Sequence, residues 1–441
     1  MGREAGTAAD DAIRKQLESD EERRLAPWAM RSALARRALK VDPEGRAFDY
    51  RTEFQRDRDR ILHARAFRRL RLKSAGGALP PSERYRDRLT HTLEVSQLAR
   101  TVARGLALNE DLVEAIALGH ELGMPPFAGA GADALNTLLS GAAGGFRVSA
   151  QSLRVADRVE KRYTHAGLNL TDATREGLLK QSAWNLPASL LDHASHLRLG
   201  WPPHLEAQVV ASVEAAASAI QELDDGLRAG EIDPARVERL PITRELSRRI
   251  NASRSPAGLH MRANVLNRGL THMLVTGLIH HSRSQIRAWA RKTSVESHEA
   301  FLKERPRLPA DLIGLTPAAR ALYDGLCDCV ARHLHQGAWV SSVRARAAHL
   351  IAGLFRTLMD DPRLAEDYLL LRFKEEGGEE GGRYLRDVPP REMEAEIRRR
   401  YRGNPRFARL VADHIAGMTD LYLISEHERL VGPFQPGGAR S

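Results

Sequence analysis

The chain lacks most of the features that announce a function directly. Only two cysteines, Cys327 and Cys329, stand among its 441 residues. They are too close together to build a disulfide framework, and so sparse a use of cysteine points to a reducing cytoplasm. Two small residues on a helix describe them better than a metal pair does. Aromatic residues make up only 5%, few for a platform on which single-stranded bases would stack. No long apolar run occurs, so no membrane span is expected. The charged first 24 residues carry no apolar segment of a secretory signal. A Gly-rich phosphate loop, a dinucleotide fingerprint and a serine elbow are all missing, and there is no internal repeat. Disulfide-stapled scaffolds, P-loop enzymes, dinucleotide-dependent dehydrogenases and serine hydrolases of the elbow type are thereby set aside.

What is present is charge and helical periodicity. The net charge is +10, the pI about 9.9, and arginine dominates the basic residues. A surface of that sign attracts polyanions, either nucleotides or single-stranded nucleic acid. An arginine-rich soluble protein without such a ligand reads the same way. Hydrophobic residues at 42% support a sizeable core. From Ala26 onward apolar residues recur at helical spacing, and the expected fold is all-α. Residues 1–24 are expected to be frayed, 25–230 to form the core bundle, and 231–435 to form a C-terminal helical layer packed on it. Phe373 to Gly382 reads as a flexible acidic loop, Glu392 to Arg402 as an exposed charged segment, Leu410 to Glu428 as one packed helix, and 436–441 as a tail.

The most informative stretch is Arg84 to Asn136. Val95, Leu98, Ala99, Val102 and Leu106 recur at helical spacing, and His91 lies one turn before Val95 on the same face. A second helix opens with Asn109 as its cap and with Glu110 and Asp111 in its first turn. It carries His120 and Glu121 near its end and is expected to stop at Gly123, before Pro125-Pro126. Two helices can thus bring two imidazoles and a carboxylate together inside a bundle, as helical metal sites are built. A third helix, within Pro202 to Leu227, adds Glu214 one turn after Val210 on its apolar face. A carboxylate there needs a cation, a donor or a proton.

This arrangement resembles the HD-domain phosphohydrolases, and specifically the deoxyguanosine triphosphate triphosphohydrolase (dGTPase) family. The likeness runs in order through LAPWAMRSA at Leu25 to Ala33, RTEFQRDRDRILHARAFRRL at Arg51 to Leu70 and RLTHTLEVSQLAR at Arg88 to Arg100. It continues through AQSLRV at Ala150 to Val155, GLNLT at Gly167 to Thr171, LDDGL at Leu223 to Leu227 and VADHIAGMTDLY at Val411 to Tyr422. The family hydrolyses a deoxynucleoside triphosphate to the deoxynucleoside and intact triphosphate. The resemblance implies an HD-domain helical bundle, a homo-oligomer and a nucleotide pocket to which Arg56 contributes. It also implies a divalent metal held by His91, His120, Glu121 and Glu214. Such a donor set suits Mn²⁺, Fe²⁺, Co²⁺ or Zn²⁺, with Mg²⁺ as a further choice.

The chain departs from the family pattern at the chemistry. Glu121 and Glu214 stand where aspartates are usual, so each carboxylate has gained a methylene. A weakened metal site and an empty one are both open on that account. Two catalytic positions, a histidine and a glutamate in the family, are Gly129 and Ala132 here, and a further histidine is Met124. His-Asn before AQSLRV is replaced by Val148-Ser149, the tyrosine after the last ligand by Ser218, and a downstream His-Asp by Gln221-Glu222. A glutamine that meets the sugar corresponds to Ala75. Gly, Ala, Met and Val side chains neither move a proton nor hold a charge. The sequence therefore describes a family scaffold with degenerate catalysis, retaining nucleotide or nucleic-acid binding. The alternatives are an active hydrolase using the altered His/His/Glu/Glu site, and a basic single-stranded nucleic-acid-binding regulator.

Overall fold

The computed structural model describes residues 2–39, 49–75, 86–141, 144–180, 190, 194, 197–249, 259–377 and 382–432. The acidic loop expected at 373–382 falls partly outside those residues, and the tail at 436–441 wholly so. Every regular element among the described residues is helical. β pairing is limited to two isolated bridges, Arg37 with Thr171 and Ser74 with Asp87. The fold is all-α, and no helix among the described residues is long and apolar enough to cross a membrane.

From the N-terminus come α1 (Gly2–Arg24), α2 (Glu53–Leu62), α3 (Arg65–Arg69), α4 (Arg88–Gly105) and α5 (Glu110–Gly119). α6 (Ala128–Leu139), α7 (Val148–Arg154), α8 (Asp172–Leu179) and the long α9 (Leu205–Ala229) follow. Then come α10 (Pro234–Glu238), α11 (Pro241–Arg249), α12 (Leu259–Thr293), α13 (His298–Glu304), α14 (Pro317–Val330) and α15 (Ala338–Asp360). The chain closes with α16 (Asp367–Glu376), α17 (Pro390–Glu396), α18 (Pro405–Ala416) and α19 (Asp420–Leu430).

α4, α5 and α9 form the bundle that matters for function. Their apolar stripes, including Val95, Val102, Leu112, Ile116, Val209 and Val213, meet in one buried cluster. Leu278 and Ile286 of α12 and Phe301 of α13 join the same cluster, so residues on both sides of Gly230 share it. A second cluster packs Leu135 and Leu139 of α6 against Ile351 and Leu354 of α15 and Phe407 and Val411 of α18. Removing such stripes from water is what holds short helices of modest propensity in place.

Four local expectations are corrected. Residues 1–24 are helical from Gly2, not frayed. Glu21 is buried and accepts from Ser32 N at 3.1 Å, and Glu22 pairs with Arg31 at 2.8 Å. These contacts with residues after the helix decide its fate and leave no apolar stripe to read. Leu410 to Glu428 is two helices, broken at Gly417–Thr419, where the Thr419 side chain caps α19 by accepting from Tyr422 N at 3.2 Å. Phe373 belongs to α16, with its ring centroid 4.7 Å from that of Tyr401 and 5.3 Å from that of Phe407. Ile397 and Tyr401 are fully buried, so the segment from Glu392 to Arg402 hides two side chains among its charges.

Candidate metal centre

α4 starts where Asp87 caps it, the carboxylate accepting from Thr90 N at 2.7 Å. One turn in, that start faces His91 toward the bundle, 2% exposed. α5 starts at Asn109, whose side chain accepts from Leu112 N at 3.1 Å as expected. It ends at Gly119, earlier than Gly123, so His120 and Glu121 occupy the turn that follows. Both are buried, at 6% and 4% exposure. Glu214, midway along α9, is the most open of the four, with 31% of its side chain exposed. One ligand atom from each of His91, His120, Glu121 and Glu214 lies within 4.8 Å of the others. No other group of three or more such side chains gathers this closely among the described residues. The four positions expected to meet do meet.

The hydrogen bonds around the cluster decide which atoms face inward. His120 donates from Nδ1 to the Ala117 carbonyl at 2.6 Å. His91 donates from Nδ1 to Gln221 Oε1, and Gln221 donates from Nε2 to Glu94. With Nδ1 carrying the proton, each Nε2 presents a lone pair. Both Nε2 atoms are buried without a hydrogen-bond partner, and so is Glu121 Oε2. Buried polar atoms ordinarily have partners. Three orphans in one cluster form a socket of acceptors with nothing to accept from. The imidazole rings lie 6.3 Å apart, tilted by 50°.

Charge reinforces that geometry. Burial holds the His91 imidazole below its ordinary pKa, and Arg88 adds to the effect against Glu121 and Glu214. His91 is accordingly neutral at neutral pH. Burial alone would raise the Glu121 carboxyl, but Arg88 at 3.3 Å, with His120 and His91, holds it below the usual range. Glu214 accepts from Ser218 Oγ at 2.8 Å. Two imidazole nitrogens and two carboxyl groups match the donor preference of Mn²⁺, Fe²⁺, Co²⁺ or Zn²⁺. The residues present fit the implied metal.

Sequence reasoning missed Gln221, Arg88 and Lys73. Gln221 was legible in principle, because it lies two turns after Glu214 on the same face of α9. As the partner that orients His91, it has a testable effect. Gln221→Leu is expected to lower Mn²⁺ affinity by about 10–100-fold in calorimetric titration, the usual consequence of losing a ligand's outer partner.

Lys73 is fully buried and donates to the carbonyls of Met124 and Ala416, the latter at 2.7 Å. Next to it, Asp420 accepts from Ser74 N and Phe127 N, each at 3.0 Å. The turn after the ligand pair, where Phe127 and Ala128 hold left-handed backbone, is thus tied to the start of α19. Burial pushes the Lys73 ammonium down to about 7 from 10.5, against the pull of Asp420. Between those values the unfolded chain holds a proton that the folded chain has released, so stability rises with pH across that window. Urea unfolding at pH 7 and pH 9 should show the native chain gaining about 2 kcal/mol relative to Lys73→Met.

The remaining expected positions do not join the cluster. Arg56 is buried and pairs with Asp49 at 2.7 Å and Glu53 at 3.4 Å. Gly129 is exposed at the start of α6, with nothing within 4 Å of where a Cβ would sit. Ala132 and Val148 pack on the α6–α15–α18 cluster. Met124 is buried and presents only its carbonyl, to Lys73.

Comparison with known proteins agrees with this geometry. The HD domain model matches residues 88–163, which hold three of the four cluster residues, and the phosphohydrolase-associated domain model matches residues 382–429. A deoxyguanosinetriphosphate triphosphohydrolase-like protein of Ralstonia nicotianae is 38% identical over 93% of this chain and 95% of its own length. One from Deinococcus radiodurans is 35% identical over 95% and 99%, and one from Azoarcus sp. is 36% identical over 92% and 96%. The chain belongs to the deoxyguanosinetriphosphate triphosphohydrolase-like family of HD-domain proteins.

Proposed function

We propose that this protein holds a divalent metal at His91, His120, Glu121 and Glu214, binds a deoxynucleoside triphosphate beside it, and hydrolyses that nucleotide slowly. The observation that carries the reading is the set of three buried, partnerless side-chain atoms in one His/His/Glu/Glu cluster. A divalent ion there supplies Lewis acidity toward a phosphoryl oxygen. The chain's own residues do the rest. Gln221 and the Ala117 carbonyl fix the two rings, Arg88 keeps Glu121 ionised, and Glu214 stands at the solvent side. Gly129 and Ala132 contribute neither a general acid nor a general base, groups that typically supply about 10²–10⁴-fold each. Arg56 enters as a structural residue, its guanidinium already engaged by two carboxylates.

A screen of dNTPs for triphosphate release, with metal quantitation on the same preparation, tests the reading. Near-stoichiometric metal with a trace rate is expected. A rate typical of enzymes would instead favour an active hydrolase on the altered ligands. Less than a tenth of an equivalent of metal after growth with Mn²⁺ and Fe²⁺ would remove the metal. Homo-oligomeric assembly, implied by the resemblance, and a cytoplasmic location, suggested by the sparse cysteines, are part of the proposal, and size-exclusion chromatography reads the assembly. The net charge of +10 supports a second reading, attraction of single-stranded nucleic acid to the surface.

A further inference from the structure

The two rings that give the socket its lone pairs are fixed by different devices. His120 donates from Nδ1 to a backbone carbonyl, that of Ala117, at 2.6 Å. A carbonyl oxygen only accepts, so the proton of that ring stays on Nδ1 and Nε2 stays bare. His91 faces the side chain of Gln221 instead. An amide offers an oxygen at one end and an NH2 at the other, and half a turn about its last bond exchanges them. With the oxygen toward His91, the ring keeps its proton on Nδ1. With the NH2 toward His91, Nδ1 must accept, and the proton moves to Nε2 inside the socket. Glu214 Oε1 lies 3.9 Å from that nitrogen, which otherwise has no partner. The second arrangement therefore offers the empty socket some relief, and a force from outside must oppose it.

We propose that Glu94 is a positioning residue that selects the tautomer of His91 through the Gln221 amide. Glu94 lies three residues after His91 on α4, within RLTHTLEVSQLAR, and accepts from Gln221 Nε2. A carboxylate has no proton to give, so the NH2 of Gln221 must turn toward it and the oxygen toward His91. Arg86 holds the carboxylate in place. Its guanidinium reaches Glu94 at 3.2 Å, and Asp224 and Asp225 of α9 at 3.0 Å and 3.3 Å. The relay runs Arg86, Glu94, Gln221, His91, and its outer end decides which nitrogen of the ring is bare. The inference rests on the metal reading above, which requires a bare Nε2. His120 needs no such relay, because its carbonyl partner cannot be reversed. The two histidines of one socket thus provide a test position and an internal control.

Magic-angle-spinning NMR of the metal-free, full-length chain labelled with ¹⁵N-histidine at pH 8 tests the assignment, since protonated and bare ring nitrogens resonate far apart. Spectra of His91→Ala and His120→Ala identify the two rings. In the native chain both should carry the proton on Nδ1. Glu94→Gln keeps the size of the side chain but donates as well as accepts, so it no longer dictates how Gln221 turns. His91 should then show the Nε2–H form as well, and His120 should not change. Glu94→Gln/Gln221→Glu puts an obligate acceptor against Nδ1 again and should return His91 to the single Nδ1–H form. Mn²⁺ affinity in calorimetric titration should fall about 10-fold in Glu94→Gln and recover in the exchanged pair. An unchanged His91 tautomer in Glu94→Gln overturns the proposal, and so does a native His91 protonated on Nε2. An equal change at His120 also overturns it, because general loosening of the bundle would then account for both. A native chain that takes up no metal defeats the metal reading, while the tautomer comparison, made without metal, still decides the role of Glu94.

Discussion

Gly129→His combined with Ala132→Glu is expected to raise triphosphate release from dGTP by about 10²–10⁴-fold over the native chain. The gain follows from the manner in which these two positions are empty. Gly129 is exposed, and a Cβ there meets nothing within 4 Å, so a side chain can start there without displacing a neighbour. Ala132 lies three residues later and shares that face of α6. It is partly buried on the α6–α15–α18 cluster, so a glutamate must lie along the helix with its carboxylate toward solvent. The pair should exceed the product of the single variants, because an acid–base set acts as a unit. The measurement is steady-state release of triphosphate with Mn²⁺, alongside metal content. A metal-loaded double variant that is no faster than the native chain would show that the missing protic groups do not limit the rate.

How far the sequence revealed this molecule depended on the range of the contacts involved. The all-α fold and the meeting of His91, His120, Glu121 and Glu214 were legible because periodicity, caps and motif order are local signals. Asn109 caps α5 where its side chain and the acids after it said it would. What stayed hidden lies in pairings distant along the chain. Residues 1–24 are charged throughout and offer no apolar stripe, yet the partner that orders Glu21 is Ser32. Arg56 looks like a phosphate ligand by residue type, and only the fold reveals that Asp49 and Glu53 surround it. Lys73 spans from the segment before α4 to carbonyls at 124 and 416, separations that no window on the sequence covers. Gln221 is the intermediate case. Its spacing from Glu214 was visible, but its role depended on knowing where the His91 ring nitrogen points.

Mn²⁺ at 100 times its dissociation constant is expected to stabilise the native chain by about 2.7 kcal/mol, and His91→Ala/His120→Ala by almost none. The argument is one of unmet demand. Both Nε2 atoms and Glu121 Oε2 have left water without gaining a partner, which costs roughly 1–3 kcal/mol for each such group. An ion at the socket removes that cost in the folded state alone, because the unfolded chain does not hold four side chains within 4.8 Å. The double variant deletes two of the orphans. Its metal-free stability should therefore fall less than two buried truncations would ordinarily imply, while its response to metal disappears. Acid is expected to reverse the effect in the native chain. His91 must be neutral to ligate, and its pKa is depressed by burial and by Arg88. Protonation of His91 thus competes with the metal only below the ordinary imidazole value, so the metal response is expected to weaken as pH falls below 6.5. Thermal unfolding with and without Mn²⁺ across pH 5 to 8 reads both effects. A melting temperature that metal raises equally in the native chain and the double variant would place the ion elsewhere. The 31% exposure of the Glu214 side chain adds a graded third case. Glu214→Gln keeps the hydrogen bond from Ser218 but removes one charge at the open side of the socket, so it should weaken the metal response without abolishing it.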